Sequence, residues 1–250
     1  MNSRFKCFSS SGVDIRPFNK IMNKDLFRQN LILLCNNHSG FCQYRITAEQ
    51  LQRNLGNLTS WNIQETNFST CFMPSQVDET ARQIIPDFFT SLAYVPVPTT
   101  GDGKCLFNAG SLAMWHSEQQ ATKLRFRTCI ELALNQDFYK QHPVVNQAHI
   151  PYNSRKHGDG TMSIPTLFDI ACFAAESSKV YQMQGFEAAF NNEIMRTSIN
   201  YSYSGTLQIM GLASVLGVPL DTIYPEQGHK LLPIYQNTFH PRKALGTGVV

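Results

Sequence analysis

The chain has 250 residues, of which 16% are charged and 42% are hydrophobic, and its formal net charge at pH 7 is +3. An ordinary soluble domain carries about 25% charged residues, and here Asn, Gln, Ser and Thr take the place of the missing charges. This composition excludes a highly charged disordered protein, a coiled coil and a collagen-like chain. The small net charge by itself gives no argument for a nucleic-acid or membrane-surface partner.

Location and redox state can also be predicted from the sequence. No apolar run near the N-terminus resembles a secretory signal, and no segment reaches the roughly 20 apolar residues of a membrane helix. The seven cysteines are scattered without the spacing of a disulfide framework. We therefore expect reduced thiols, an intracellular location in the cytoplasm or nucleus, and no membrane partner.

The first 94 residues follow an irregular pattern in which two helices stand out. One is predicted over Thr47–Leu55, because Thr47 is a suitable N-cap and Gln50 completes a capping box. The other is predicted over Gln76–Leu92 from apolar residues at helical spacing, and Pro86 is expected to kink or divide it.

The sequence pattern changes near residue 95, from irregular before it to clear turn and helix signals after it, and this predicts a domain boundary. The segment Tyr94–Pro98 is predicted to be an extended linker, because each of its prolines disfavours helical backbone in the residue before it. We therefore divide the chain into an N-terminal region, residues 1–94, of unassigned role and a domain formed by residues 95–250.

The domain begins with a turn that leads into two helices. The turn Gly101–Gly103 precedes a helix predicted over Cys105–Trp115, whose first residue is a cysteine. A second helix is predicted from Ser117 to about Tyr139, and its wide apolar face is typical of a helix packed in a core.

The middle of the domain is less regular. Residues 140–162 are predicted to form a loop, and a helix is predicted from Ser163 to about Ser177. Residues 178–204 show no clear pattern. A further helix is predicted over Thr206–Leu216, with Gly217 ending it.

Strands are predicted only near the end of the chain. Val218–Tyr224 and Leu231–Phe239 are predicted strands, and Val249–Val250 has the pattern expected at the start of a third. Helices followed by strands indicate a mixed α/β or α+β domain.

Cys105 occupies a position where a thiolate is easily formed. The first turn of a helix has N–H groups without helical partners, and the helix dipole stabilises negative charge there. Cysteines in such positions can have lowered pKa values. The backbone N–H groups from Gly103 through Lys104 to Cys105 are candidates for an oxyanion hole. Asp102 is a candidate for orienting a histidine or for polarising that hole.

The segment Gly101–Asn108 resembles the signature of the ovarian tumour (OTU) family of cysteine peptidases, in which Asp-Gly-x-Cys-Leu-Phe introduces the nucleophile. A second block, Tyr203–Leu220, is similar to the family's glycine-containing turn, its Leu- and Ala-rich helix and the strand that follows. The resemblance covers about residues 95–250. Leu112–Trp115 and Asn237–Arg242 make it closest to the vertnin-like, transposon-associated subgroup.

The resemblance implies a papain-like α/β (α+β) fold, in which helices pack on a small central sheet, and the hydrolysis of isopeptide bonds to ubiquitin. It implies that Cys105 is the nucleophile and that Asp102 lies in or beside the catalytic triad. The implied partner is ubiquitin or a ubiquitinated protein. We expect neither a cofactor nor a metal.

The general base is the part of the pattern that the chain matches least. In the OTU pattern a histidine follows the last strand, and Val249–Val250 is predicted to begin that strand, so we expect the strand and its histidine beyond residue 250. His240, before Pro241 at a strand end, is a weaker candidate for the base. A domain without the base would be a non-catalytic, vertnin-like module for protein or DNA-linked interactions, and this alternative stays open.

Two other clusters of polar residues are candidates for binding a metal or nucleic acid. Cys35, His38 and Cys42 have the spacing C-x2-H-x3-C, but the next candidate ligand, Cys71, lies far along the chain. Structural zinc usually takes paired short spacings, so scattered reduced thiols are the preferred interpretation. A second cluster is a small basic face, which we expect to be solvated and which argues only weakly for nucleic acid; it comprises Lys123, Arg125 and Arg127.

Overall fold

A computed structural model describes residues 24–36, 40–54, 77–87, 95–146, 172–199, 201–224 and 235–242. These residues form mainly helices, with two short strands. The elements are α1 (Lys24–Asn36), α2 (Phe41–Asn54), α3 (Glu79–Ile84), α4 (Cys105–Trp115), α5 (Ala121–Leu134), α6 (Gln136–Lys140), α7 (Ala175–Gln184), α8 (Phe186–Arg196), α9 (Thr206–Leu216), β1 (Leu220–Asp221) and β2 (Thr238–Phe239).

Helix α5 lies at the centre of the described part of the chain. It packs against α1, α2, α4, α8 and α9. Because neighbours surround it, nearly its whole circumference is buried. Its fully buried side chains are Leu124, Arg125, Phe126, Thr128, Cys129, Leu132 and Ala133.

The long helix predicted from Ser117 to about Tyr139 is found as three consecutive pieces. A 3-10 turn at Glu118–Gln120, capped by the Ser117 hydroxyl, leads into α5. Asn135 then adopts a non-helical backbone and separates α5 from α6. The prediction that this segment packs in the core is confirmed.

In the N-terminal region the structure corrects one predicted helix start. Helix α2 begins at Phe41 rather than at Thr47. The Thr47 hydroxyl donates to the Gln43 carbonyl at 3.0 Å, which a threonine inside a helix does readily, so Thr47 is not an N-cap. Helix α1 was not predicted.

Pro86 divides the predicted Gln76–Leu92 helix, as expected, because α3 ends before it and Asp87 is helical again. Asp78 caps α3 by accepting a 2.9 Å hydrogen bond from the Ala81 N–H. Ile85, directly before the proline, is extended, with ψ 131°. Steric conflict with the proline ring explains the end of the helix.

The two helices predicted within the family-like blocks are confirmed. Helix α4 covers Cys105–Trp115, and α9 covers Thr206–Leu216 and ends at Gly217, which has φ 70°. Close packing joins α9 to α5 at Gly211, where an added Cβ would lie 2.9 Å from side-chain atoms of Leu132 and Thr128.

Helices α7 and α8 occupy most of the stretch that showed no clear pattern in the sequence. Helix α7 begins at Ala175, so the helix predicted from Ser163 does not end at Ser177; residues 163–171 lie outside the described residues. Gly185, with φ 92°, separates α7 from α8, and a single glycine at this point obscures the helical periodicity.

Within the described residues, the two strands are shorter than predicted. Strands β1 and β2 pair antiparallel, with Leu220 opposite Phe239 and Asp221 opposite Thr238, and both lie beside α9. The α+β class is confirmed, although the centre of the described part is α5 rather than the sheet. Val249–Val250 lies outside the described residues.

The N-terminal helices α1 and α2 share one apolar core with the later helices. Phe27 of α1 contacts Phe126 of α5, with ring centroids 5.6 Å apart, and Tyr44 and Ala48 of α2 belong to the same buried cluster. The division at residue 95 stays a prediction. Within the described ranges, no helix is long and apolar enough to cross a membrane.

Candidate active site

Cys105 is the first residue of α4. Its thiol is free and partly exposed, and the N-cap residue, Lys104, makes no side-chain capping bond to the helix. The first N–H groups of a helix have no intrahelical acceptor. The thiol therefore lies beside the positive end of α4, where negative charge on sulfur or on a bound oxygen is favoured.

Asp102 organises the turn before Cys105. Its Oδ1 accepts hydrogen bonds from the Lys104 backbone N–H at 3.0 Å and from Asn108 Nδ2 at 3.1 Å. Its Oδ2 pairs with Lys104 Nζ at 2.9 Å. Partial burial acts to raise the pKa of Asp102, but the bonds from Lys104 and Asn108 outweigh this and lower the pKa below its ordinary value. Asp102 is therefore an ionised acceptor.

This arrangement affects the predicted oxyanion donors. The Lys104 N–H donates to Asp102, so in this structure it is engaged within the turn. The Cys105 N–H lies at the open end of α4, where N–H groups have no intrahelical acceptor. The assignments of Gly103 and Lys104 stay predictions.

Asn108 was not singled out in the sequence, although it ends the family-like motif. It is buried, and its Nδ2 donates to the Thr100 carbonyl at 2.9 Å as well as to Asp102. Its own N–H donates to the Lys104 carbonyl at 2.8 Å. A polar residue one helical turn after the cysteine is the sequence signal that predicts a side-chain bond to the preceding turn. Asn108 thus fastens the turn to α4.

Gly103 lies in direct contact with the backbone of Tyr201. Gly103 has φ 75°, and a Cβ added there would lie 2.4 Å from the Tyr201 Cα and 2.8 Å from its carbonyl carbon. Tyr201 itself has φ 62°, which is uncommon for a bulky residue. The turn before the cysteine and the chain before α9 therefore meet without room for any side chain at position 103.

Arg125 contradicts the expected solvated basic face. Its side chain is 1% exposed, Nε donates to the Thr197 carbonyl at 2.6 Å, and Nη2 donates to the Ile199 carbonyl. The guanidinium also lies 5.8 Å from the ring centroid of Phe107 in α4. Burial lowers the pKa of Arg125, yet an arginine of this intrinsic basicity stays charged.

The other two residues of that predicted face are half-buried. Burial lowers the pKa of Lys123 to about 8, helped by the positive charge of Arg127. Burial likewise lowers the pKa of Arg127 to about 10. The prediction of a solvated face was wrong because α5 has neighbours on nearly every side.

His240 follows β2, as predicted. It is exposed, and its charge acts on His142, whose ring lies 5.8 Å from that of Phe239. Among the described residues Cys105 makes no hydrogen bond with a histidine, and the side-chain partners of Asp102 are Lys104 and Asn108. The assignment of His240 as base stays a prediction.

The zinc alternative is tested only in part. Cys35 lies in α1 and Cys42 in α2, and both are free thiols. His38 and Cys71 lie outside the described residues. No group of three or more potential ligands occurs within the ranges that the structure describes.

Comparisons with known proteins give a family. A family model described as "Vertnin, OTU domain" matches residues 96–247. Vertnin of Bos taurus is 24% identical over 173 residues, vertnin of Mus musculus 25% over 167 and vertnin of Homo sapiens 24% over 170. These alignments cover 67% of this chain but 21% to 23% of the relatives, so the chain spans less than a quarter of their length. No solved structure matches the chain.

Proposed function

The chain belongs to the vertnin OTU-domain family, and on this premise we propose that it is an OTU-like cysteine peptidase that hydrolyses isopeptide bonds to ubiquitin. Its partners are ubiquitinated proteins of the cytoplasm or nucleus. Membership of the OTU class follows from the family match. The reaction and the substrate are what we propose.

One observation carries the proposal. Cys105 begins α4 behind a turn that is held by hydrogen bonds to Asp102 and Asn108. Packing of the core does not require this arrangement, because the thiol is partly exposed and contributes little to the apolar clusters. It is the arrangement that nucleophilic catalysis requires: a thiol at a helix N-terminus with fixed backbone donors nearby.

The mechanism assigns each step to a residue. The Cys105 thiolate attacks the carbonyl carbon of the C-terminal glycine of ubiquitin, and the negative oxygen is stabilised by the N–H of Cys105 together with that of Gly103. The general base takes the proton of the Cys105 thiol and, as the C–N bond breaks, gives it to the departing lysine amine. The base then takes a proton from the water that attacks the thioester, and the thioester bond breaks to release the ubiquitin carboxylate and the Cys105 thiolate.

Asp102 acts on the turn in this mechanism. Its ionised carboxylate holds the Lys104 N–H and the Asn108 amide, so it keeps the backbone from Gly103 to Cys105 in the geometry that accepts an oxyanion. For the base we test His240, the weaker of the two candidates that the sequence offers, which is exposed and follows β2.

The experiment uses a ubiquitin probe with a C-terminal electrophile. The wild-type chain is expected to form a covalent adduct, and Cys105→Ala is expected to form none. Cys42→Ala is the matched control, because Cys42 is the more exposed free thiol and an unspecific reaction would occur there. An adduct that persists in Cys105→Ala, or no adduct with the wild-type chain, would contradict the proposal.

The base is tested separately. His240→Asn is expected to slow adduct formation at neutral pH by about a hundredfold, whereas His116→Asn, which replaces another exposed histidine, is expected to leave the rate unchanged. Equal rates in His240→Asn and wild type would remove His240 from the mechanism while leaving Cys105 as nucleophile.

A second candidate function is a non-catalytic interaction module. The observation that favours it is the engagement of Asp102 by Lys104 and Asn108 rather than by a histidine. This function predicts reversible binding of ubiquitin or DNA that is unchanged in Cys105→Ala, together with no adduct. Titration calorimetry with each ligand, beside the probe reaction, distinguishes the two functions.

A further inference from the structure

Two exposed tyrosines lie on the chain that contacts the turn before Cys105. Tyr201 is 79% exposed and Tyr203 is 80% exposed. Among the large apolar side chains of the described residues, only Met183 of α7 is as exposed, at 80%. Single exposed apolar residues are common on protein surfaces, so exposure alone does not define a site.

The position of Tyr201 provides the second observation. Its Cα lies against Gly103, closely enough that a Cβ there would be 2.4 Å away, and Gly103 is two residues before the nucleophile. Tyr201 therefore lies beside the turn that leads to the thiol and to the N–H groups at the start of α4. The tyrosine lies at the candidate active site rather than elsewhere on the surface.

The backbone at this place is fixed from within the core. Arg125 holds the carbonyl groups of Thr197 and Ile199. On the other side, Ser202 is buried and accepts a 3.3 Å hydrogen bond from Arg196 Nη2, and the Gly205 N–H donates to Gln208 at 2.8 Å. Hydrogen bonds on both sides hold the chain that carries the two tyrosines, and so keep Tyr201 beside the turn.

Stability does not account for a tyrosine at position 201. A left-handed backbone, here φ 62°, is unfavourable for bulky residues, and an exposed ring regains little stability by packing. Glycine or asparagine adopts this backbone more easily. Strained positions that persist without a packing reason occur mainly at functional sites.

From these observations we propose that Tyr201 and Tyr203 bind the substrate on the acyl side of the scissile bond, where their exposed rings contact an extended peptide tail that ends in glycine. This inference rests on the proposed function. Tyrosine rings bind extended peptides well, because they bury a large area with few rotatable bonds and keep a polar tip in water.

The test measures adduct formation by the ubiquitin probe as a function of probe concentration. Tyr201→Gly keeps the left-handed backbone and removes the ring, and Tyr203→Ala removes the second ring. Each is expected to raise the half-saturating probe concentration about tenfold, as the loss of an aromatic contact typically does. The maximal rate and the alkylation of Cys105 by iodoacetamide are expected to stay unchanged.

Controls separate binding from structure. Tyr201→Phe and Tyr203→Phe retain the rings and are expected to behave as wild type, and Met183→Ala removes an equally exposed side chain on α7. Unchanged half-saturation in both ring-deleted variants, while wild type reacts, would overturn this inference alone. An equal loss of probe and iodoacetamide reactivity would also overturn it, because the turn would then be distorted. If wild type forms no adduct, the proposed function fails and this inference with it.

Discussion

The Nε atom of Arg125 donates a 2.6 Å hydrogen bond to the carbonyl oxygen of Thr197, although 72 residues separate them in the chain. Arg125 lies in the central helix α5, and Thr197 follows α8. Because Tyr201 contacts Gly103, this bond connects the core to the turn before Cys105. The buried Arg125 guanidinium thus helps to hold in place, from the side of the core, the backbone that contacts the turn before Cys105.

Replacing Arg125 is expected to destabilise the protein strongly. In Arg125→Lys the shorter, non-planar ammonium cannot reach both the Thr197 and the Ile199 carbonyl groups, so at least one buried acceptor loses its partner. We expect the free energy of unfolding to fall by about 3 kcal/mol. Urea denaturation measures the change.

Arg45→Lys is the control for Arg125→Lys, because the Arg45 side chain is 53% exposed and pairs with Glu49 on the surface of α2. Its effect is expected to stay below about 0.5 kcal/mol. Similar losses at both positions would contradict the buried role of Arg125.

Gly103→Ala is expected to damage both stability and reactivity. The new Cβ would lie 2.4 Å from the Tyr201 Cα, which is backbone and cannot move aside, and φ 75° is unfavourable for alanine. A loss of about 2 kcal/mol and slower reaction of Cys105 with the ubiquitin probe are expected. Thermal unfolding and adduct formation are the measurements.

Gly101→Ala provides a close comparison in the same turn. A Cβ at Gly101 meets nothing within 4 Å, so stability is expected to change by less than about 0.5 kcal/mol. If Gly101→Ala and Gly103→Ala have the same effect, the close approach of Gly103 to Tyr201 is not the cause.

Asp102→Asn is expected to lower stability near neutral pH but not in acid. Because the folded protein lowers the pKa of Asp102, the stabilising effect is complete above the unfolded value of about 3.9 and is lost as the pH falls through the lower folded pKa. The stability difference between variant and wild type should therefore disappear once the pH has fallen below the folded pKa of Asp102.

The measurement for Asp102 is denaturant unfolding over this pH range. Asp137→Asn replaces an exposed carboxylate of α6 and is the control, for which a small change is expected. A difference for Asp102→Asn that persists undiminished in strong acid would show that its effect does not come from the charge.

His142 is expected to make the protein less stable as the pH falls below neutrality. Burial lowers the pKa of His142, and the charge of His240 lowers it further. The unfolded chain therefore binds the proton first, near its ordinary pKa of about 6.5, and stability declines from there down to the folded pKa.

The variant His142→Phe keeps a ring against Phe239 and removes this titration. We expect the melting temperature of wild type to fall more between about pH 7.5 and about pH 5 than that of the variant. Differential scanning calorimetry measures both. Parallel declines in the two proteins would contradict the prediction.

Local features of the chain could be predicted from its sequence. The start of α4 at Cys105, the end of α3 before Pro86 and the end of α9 at Gly217 agree with the structure. Each depends on backbone sterics or capping within about four residues. The sequence therefore determined that a cysteine opens a helix behind a glycine-containing turn.

Only the tertiary structure decided what surrounds that cysteine. The burial of Arg125 and the contact of Gly103 with Tyr201 were not predicted. Burial depends on which faces of distant helices meet, and α5 is enclosed by elements far from it in the chain. Local sequence patterns do not select which distant segments pack together. Only the tertiary packing therefore decided these contacts near the nucleophile.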